Sequence, residues 1–154
     1  MNKPLAVGSI APDFSLPDQE KKVRSLKEFR GSYVVLYFYP KDETPGCTQE
    51  ACQLRDDFSA FTEQGIVILG VSYDSPASHK AFKENHLLPF TLLSDSDKTV
   101  AKKYGAYRWF IPFARRITYV IDPQGVICAV IPNVDVSTHA SQILALIEQD
   151  KKKN

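Results

Sequence analysis

The sequence predicts a layered α/β domain, with a central mixed sheet flanked by helices and an N-terminal hairpin ahead of it. Three observations carry this prediction. Tyr33 to Tyr39 and Ile66 to Ser72 are near-continuous apolar runs, rich in aromatic and β-branched residues and of buried-strand length. The first is followed by a stretch with apolar residues at helical spacing, and the second by Ser75-Pro76, which opens a helix. A hairpin signal around Asp122-Pro-Gln-Gly and a last amphipathic segment then close the chain.

The elements follow in order. Pro12 to Phe14 and Val23 to Leu26 flank the charged turn Asp18 to Lys22, which suggests the N-terminal hairpin. After the Tyr33–Tyr39 strand, a helix is predicted from about Gly46 to Gln64. Leu54, Phe58 and Phe61 recur at helical spacing there, and Gly65 is a suitable C-terminal cap. After Ile66–Ser72, Ser75-Pro76 opens a helix running to about His86, with proline at its first position. Thr91 to Leu93 reads as a short strand, and Asp97 to Tyr104 as a short helix stopped by Gly105. Arg116 to Ile121 and Val126 to Ile131 make the second hairpin, and Ser137 to Gln149 the terminal helix, with Ile143, Leu144 and Ile147 on one face. This alternation indicates a thioredoxin-like fold.

Composition narrows the function. At 154 residues with no repeat, low-complexity stretch or Gly/Ser linker, the chain reads as a single domain over 1–150 and a solvated, frayed basic tail over 151–154. A net charge of +1 gives no reason to expect capture of nucleic acid or of an anionic membrane. The opening residues lack the apolar core of a secretory signal, and no apolar run is long enough to span a bilayer, so a cytoplasmic protein is expected. In a reducing cytosol, close cysteines point to catalysis or metal binding before structural disulfides.

The chemistry centres on Cys47, which falls where a helix begins after a strand and a short polar loop. A thiol in the first helical turn sits beside unpaired backbone N–H groups and the positive end of the macrodipole. Both favour the thiolate, which is the nucleophilic form. A lone cysteine after a strand is more often a small buried hydrophobe. The helix-start context and Cys52, near enough to trap an oxidised product, reverse that reading here. Cys128 lies in Val-Ile-Cys-Ala-Val-Ile and reads as core.

Pro40, Thr44 and Cys47 fit the Pro-x-x-x-Thr-x-x-Cys signature of the peroxiredoxins. The longer string from Tyr39 to Cys52 resembles the bacterioferritin comigratory protein (PrxQ) branch, as do Ala11-Pro-Asp-Phe-Ser-Leu and Arg116-Ile-Thr-Tyr-Val-Ile-Asp. The resemblance implies that Cys47 is the peroxidatic cysteine and Cys52 the resolving one. It also implies that Thr44 and Arg116 bind the peroxide and stabilise the thiolate, that Pro40 shields the site, and that Glu50 partners the arginine and belongs with the substrate-binding residues. By the same resemblance the protein reduces hydrogen peroxide and organic hydroperoxides through a sulfenic acid and a Cys47–Cys52 intramolecular disulfide. It works without metal or other cofactor, as a monomer, recycled by thioredoxin or a similar dithiol. Glu20-Lys21-Lys22 departs from the family's pattern, replacing a usual Gly-containing turn, and Tyr107 to Ala114 matches less well.

Arg115 competes with Arg116, although the spacing to Thr118 favours Arg116. A tyrosine beside Pro40 either contacts the site or only packs in the sheet, and Phe38 reads as packing. Trp109, Phe110 and Phe113 either rim the site for bulky hydroperoxides or pack within their loop. His79, His86 and His139 together with the cysteines do not fit zinc-ligand spacing, and Cys-x-x-Cys is absent. A catalytically silent binding module on the same fold is disfavoured by the full set Pro40, Thr44, Cys47 and Arg116.

Overall fold

The computed structural model describes residues 3–153; Met1 and Asn2 of the opening segment and Asn154 of the basic tail lie outside it. The chain forms two sheets. Strands β1 (Ser15–Pro17) and β2 (Val23–Ser25) make the N-terminal hairpin, followed by a single 3-10 turn. Its first strand starts three residues later than the sequence suggests. At the turn, Lys21 takes a left-handed φ of 65°, a conformation glycine adopts most readily.

The main sheet has the order β5-β4-β3-β6-β7, built from β3 (Val34–Phe38), β4 (Val67–Ser72), β5 (Thr91–Ser94), β6 (Ile117–Ile121) and β7 (Ile127–Ile131). Strands β3, β4 and β5 run parallel, while β6 and β7 are antiparallel to their neighbours. The fold is therefore the mixed, helix-flanked sheet expected from the sequence.

Alternation across β3 and β6 sorts the core into two layers. Val35, Tyr37 and Tyr39 face one side with Val120, Leu54, Phe61, Phe82, Ile143 and Ile147. Val34, Leu36 and Phe38 face the other with Tyr104, Tyr119 and the N-terminal residues Phe14 and Leu16. The first layer is covered by helices α1 (Pro45–Asp56), α2 (Phe58–Glu63), α3 (Pro76–Asn85) and α5 (His139–Lys153), and the second by the short α4 (Thr99–Lys103).

Four expectations are corrected. The single helix over 46–64 is two, because Asp57 leaves helical geometry (φ −99°, ψ 10°) between α1 and α2. The terminal helix starts at His139, since Ser137 and Thr138 stay in the preceding turn. The lysines of the basic tail, through Lys153, continue α5. Lys151 explains why: its Nζ donates to Gln64 Oε1 at 3.0 Å and lies over the Tyr33 ring. Cys128 is only half-buried, on the edge strand β7 and packed against the margin of the core, and burial pushes its thiol up to about 12.

Gly105 ends α4 with φ +70°, and a Cβ there would lie 2.2 Å from the Lys3 carbonyl oxygen. Left-handed strain and the backbone clash together set the expectation that Gly105→Ala costs about 2–3 kcal/mol of stability. The thermal midpoint should fall by roughly 5–10 °C. An unchanged midpoint in a melting curve would contradict this reading of the junction.

Candidate active site

The register of β3 on β6 creates the site. Phe38 pairs with Ile117, so the chain leaving β3 and the residue entering β6 emerge together at one end of the sheet. The first leads through Pro40, half-buried, to Thr44 and α1, and the second is Arg116. Cys47, Glu50, Ala51 and Leu54 recur at helical spacing and are the buried face of α1. Cys47 and Glu50 thus point the same way, one turn apart, toward the guanidinium.

Arg116 bridges them. Its Nη2 donates to Cys47 Sγ at 3.3 Å, and its Nη1 to Glu50 Oε1 at 2.6 Å. Burial pulls the arginine's pKa down, but the Glu50 and Cys47 charges outweigh it and hold it above the ordinary value. Burial pushes Glu50 up to about 7, against the opposing pull of Arg116. Arg115 turns away and donates to the Pro132 carbonyl at 3.1 Å, so Arg116 is the arginine at the sulfur. Gly46 eases that approach, because a Cβ there would lie 3.2 Å from Arg116 Nη2 and crowd it by a few tenths of an ångström.

Thr44 is the N-cap of α1, and its hydroxyl donates to the Lys41 carbonyl at 2.8 Å. With its proton so committed, the oxygen's lone pairs are left to accept from an O–H. Pro45 occupies the first helical position and brings no N–H, leaving the Gly46 and Cys47 amides among the unpaired donors of the first turn.

The loop between β3 and α1 is fastened at two consecutive residues that the sequence analysis did not single out. Asp42 is buried. Its carboxylate accepts from Tyr39 Oη at 2.6 Å and Ser78 Oγ at 2.8 Å, and lies 2.7 Å from His79 Nδ1. Its backbone N–H donates to Asp74. Glu43 holds a left-handed φ of 64° and accepts from Asn85 Nδ2 and His86 Nε2, both at 2.7 Å. Those bonds hold its carboxyl below the usual value. Tyr39 therefore serves the site by anchoring its loop, whereas Phe38 is sheet packing. The one signal in the sequence is the run of polar residues after a buried strand, but apart from Tyr39 its partners lie more than thirty residues away.

His79, His86 and His139 go to three separate places: Asp42, Glu43 and Thr118. Asp42, Asp74 and His79 bring ligand-type atoms within 4.8 Å of one another, but those atoms are occupied in bonding the loop together. Cys52, on a different flank of α1 from Cys47, is half-buried, and both thiols are free. Trp109, Phe110 and Phe113 are exposed (74%, 55% and 38%), and Trp109 and Phe110 pack edge-to-face within their loop, ring centroids 5.4 Å apart. Phe113 lies under Lys41 Nζ at 5.9 Å, which puts this aromatic loop beside the one that carries Thr44. Arg116 itself opens onto a groove of about 540 Å³ lined by Arg108, Arg115, Pro132 and Asp135.

Among the described residues no helix is long and apolar enough to cross a membrane. Residues 7–130 match the AhpC/TSA family. The chain is 46% identical over 146 residues to the Coxiella burnetii protein named peroxiredoxin bcp, covering 91% of this chain and 97% of that one. It is 44% identical over 143 residues to the chloroplastic peroxiredoxin Q of Triticum aestivum, covering 92% of this chain but only 66% of the longer plant protein. Among solved structures, peroxidoxin BcpB from Mycobacterium tuberculosis superposes with a TM-score of 0.87 at 35% identity, covering 93% of this chain and 96% of that one. The bacterioferritin comigratory protein of Xanthomonas campestris, whose structures concern alkyl peroxide reduction, gives 0.87 at 29% identity, over 95% of this chain and 97% of that one.

Proposed function

The chain belongs to the AhpC/TSA family, a peroxiredoxin that reduces peroxide through a thiol, and on that premise we propose a cycle confined to one helix, with Cys47 as the peroxidatic and Cys52 as the resolving cysteine. The observation that carries it is the Arg116 Nη2 bond to Cys47 Sγ at 3.3 Å, in the first turn of α1.

The Cys47 thiolate attacks the hydroxyl-bearing oxygen of the hydroperoxide. An S–O bond forms as the O–O bond breaks, giving a sulfenic acid and an alkoxide (hydroxide from hydrogen peroxide). That leaving group takes up from solvent the equivalent of the proton the thiol had lost. Arg116 stabilises the thiolate and then the charge growing on the leaving oxygen. Thr44 accepts from the peroxide O–H and orients it, while Pro40 keeps bulk water from one side. Cys52 then attacks the sulfenic sulfur, water leaves, and the disulfide is reduced by thioredoxin or a similar dithiol through exchange. Neither a metal nor an organic cofactor enters this scheme. Both cysteines lie in one chain, so a monomer suffices, and a reducing compartment such as the cytoplasm suits the free thiols. The exposed aromatics Trp109, Phe110 and Phe113 supply an apolar rim suited to organic hydroperoxides.

The second half of the cycle demands a change of shape. In an intact α-helix, residues five apart have Cα atoms roughly 8.6 Å apart and point about 140° apart. A disulfide needs about 4.4–6.8 Å. Since α1 is helical from Pro45 to Asp56, its early turns must unwind for the Cys47–Cys52 bond to form. Hydrogen exchange tests this: amides of residues 47–52 should lose protection on oxidation and regain it on reduction. Equal protection in both states, with that disulfide verified by mass spectrometry, would refute the unwinding.

A further inference from the structure

Glu50 has no exposed surface, and its two oxygens fare differently. Oε1 accepts from Arg116, while Oε2 has no hydrogen-bond partner. Nδ1 of His139, at the start of α5 and equally buried, is also unpartnered. These two orphans lie 3.3 Å apart. A buried polar atom without a partner costs about 1–3 kcal/mol; the pair is within reach but out of line, and one proton between them with a small rotation of either group resolves both. The other histidine nitrogen, Nε2, lies 2.7 Å from Thr118 Oγ1.

We propose that His139 is a positioning residue of the active site: as the Nδ1–H tautomer, with Thr118 donating to Nε2, it donates to Glu50 Oε2 and so keeps that carboxylate ionised and turned toward Arg116. The proposal rests on Cys47 being the nucleophile, because His139 acts on it only through Glu50 and Arg116.

Three features support the tautomer and its effect. Burial, reinforced by the nearby Arg116 charge, holds His139 down to about 4, so the ring is neutral and carries a single N–H. Burial works against the Glu50 charge, which makes a second donor decisive for its ionisation near neutrality. The ionisable groups around the carboxylate are Cys47 on the same helix, Tyr37 from β3, Arg116 at the start of β6 and His139 from α5. Among the described residues only Arg116 and His139 lie within 4 Å as nitrogen partners. An ionised Glu50 fixes one guanidinium nitrogen by a charge-assisted bond and leaves Nη2 for the sulfur. A protonated Glu50 loosens that anchor.

Two measurements test this. Nitrogen-15 NMR of the imidazole in the reduced wild-type protein should show Nδ1 protonated and Nε2 bare; the reverse tautomer overturns the proposal. The second is the rate of the peroxide step against pH in His139→Phe, which lacks the donor, and His139→Asn, whose amide N–H restores one near Nδ1. His139→Phe should be about tenfold slower at neutral pH and below, recovering as pH rises and Glu50 ionises, while His139→Asn stays near the wild type. A wild-type profile in His139→Phe, or an equal pH-independent loss in both variants, contradicts a positioning role. Failure of the nucleophile assignment is distinguishable: full turnover in Cys47→Ser would remove the premise, whereas the tautomer is read without any turnover.

Discussion

Cys47→Ser should bring peroxide turnover down to the uncatalysed level. A neutral hydroxyl has no appreciable anionic form at neutral pH, and the oxygen cannot be oxidised as sulfur is. The variant should fold normally, since serine is nearly isosteric and the site is already built to hydrogen-bond the atom it replaces, through Arg116 Nη2. By comparison with nucleophile removal in other enzymes, the loss should be on the order of 10⁴-fold or more in kcat/KM. The measurement is peroxide consumption with a dithiol in excess. Substantial remaining turnover would move the chemistry to Cys52 or Cys128. Cys128 is a poor alternative, because burial holds its thiol up at about 12 and it lies on the edge strand β7.

Arg116→Ala should cost about 10²–10³-fold in the peroxide step. The change removes the hydrogen bond to Cys47 Sγ and, among the described residues, the one charged partner of Glu50. Glu50 is then left buried without its main counter-charge and should take up a proton. Two readouts separate these effects from a folding defect. Alkylation of Cys47 by iodoacetamide at neutral pH should slow, because the thiolate has lost its donor. Stopped-flow oxidation should slow further, because the leaving oxygen has lost its donor as well. Arg115→Ala should change neither rate appreciably, as its guanidinium faces the Pro132 carbonyl. The reversed pattern between the two arginines would contradict the site.

The contrast between sequence and structure has physical causes. Strands β3 and β4 were legible because residues buried on both faces leave a near-continuous apolar run. The break at Asp57 was not, because Leu54, Phe58 and Phe61 keep helical spacing across it. The lysine tail read as frayed because its support is long-range: Lys151 reaches Gln64 and Tyr33. Within the site, Cys47 and its helix-start setting were visible locally. Arg116 was selected by its spacing to Thr118, and the β3–β6 register explains why that residue meets Cys47. The loop anchors at Asp42 and Glu43, and His139 behind Glu50, were hidden because each depends on partners 32 to 89 residues away. Spacing alone says only that the histidines do not fit a zinc site. Their burial and their individual partners give them their roles.

The central claim is that one activated sulfur, Cys47, is oxidised and then captured by Cys52. Peptide mapping by mass spectrometry after one equivalent of hydrogen peroxide tests it most directly. The wild type should yield a Cys47–Cys52 disulfide with Cys128 still a free thiol. Cys52→Ser should instead hold the oxidation at Cys47 as a sulfenic acid, trapped by dimedone, and fail to be recycled by thioredoxin. Peroxide consumed while Cys47 remains a free thiol, or a disulfide that includes Cys128 in place of Cys52, would contradict the account.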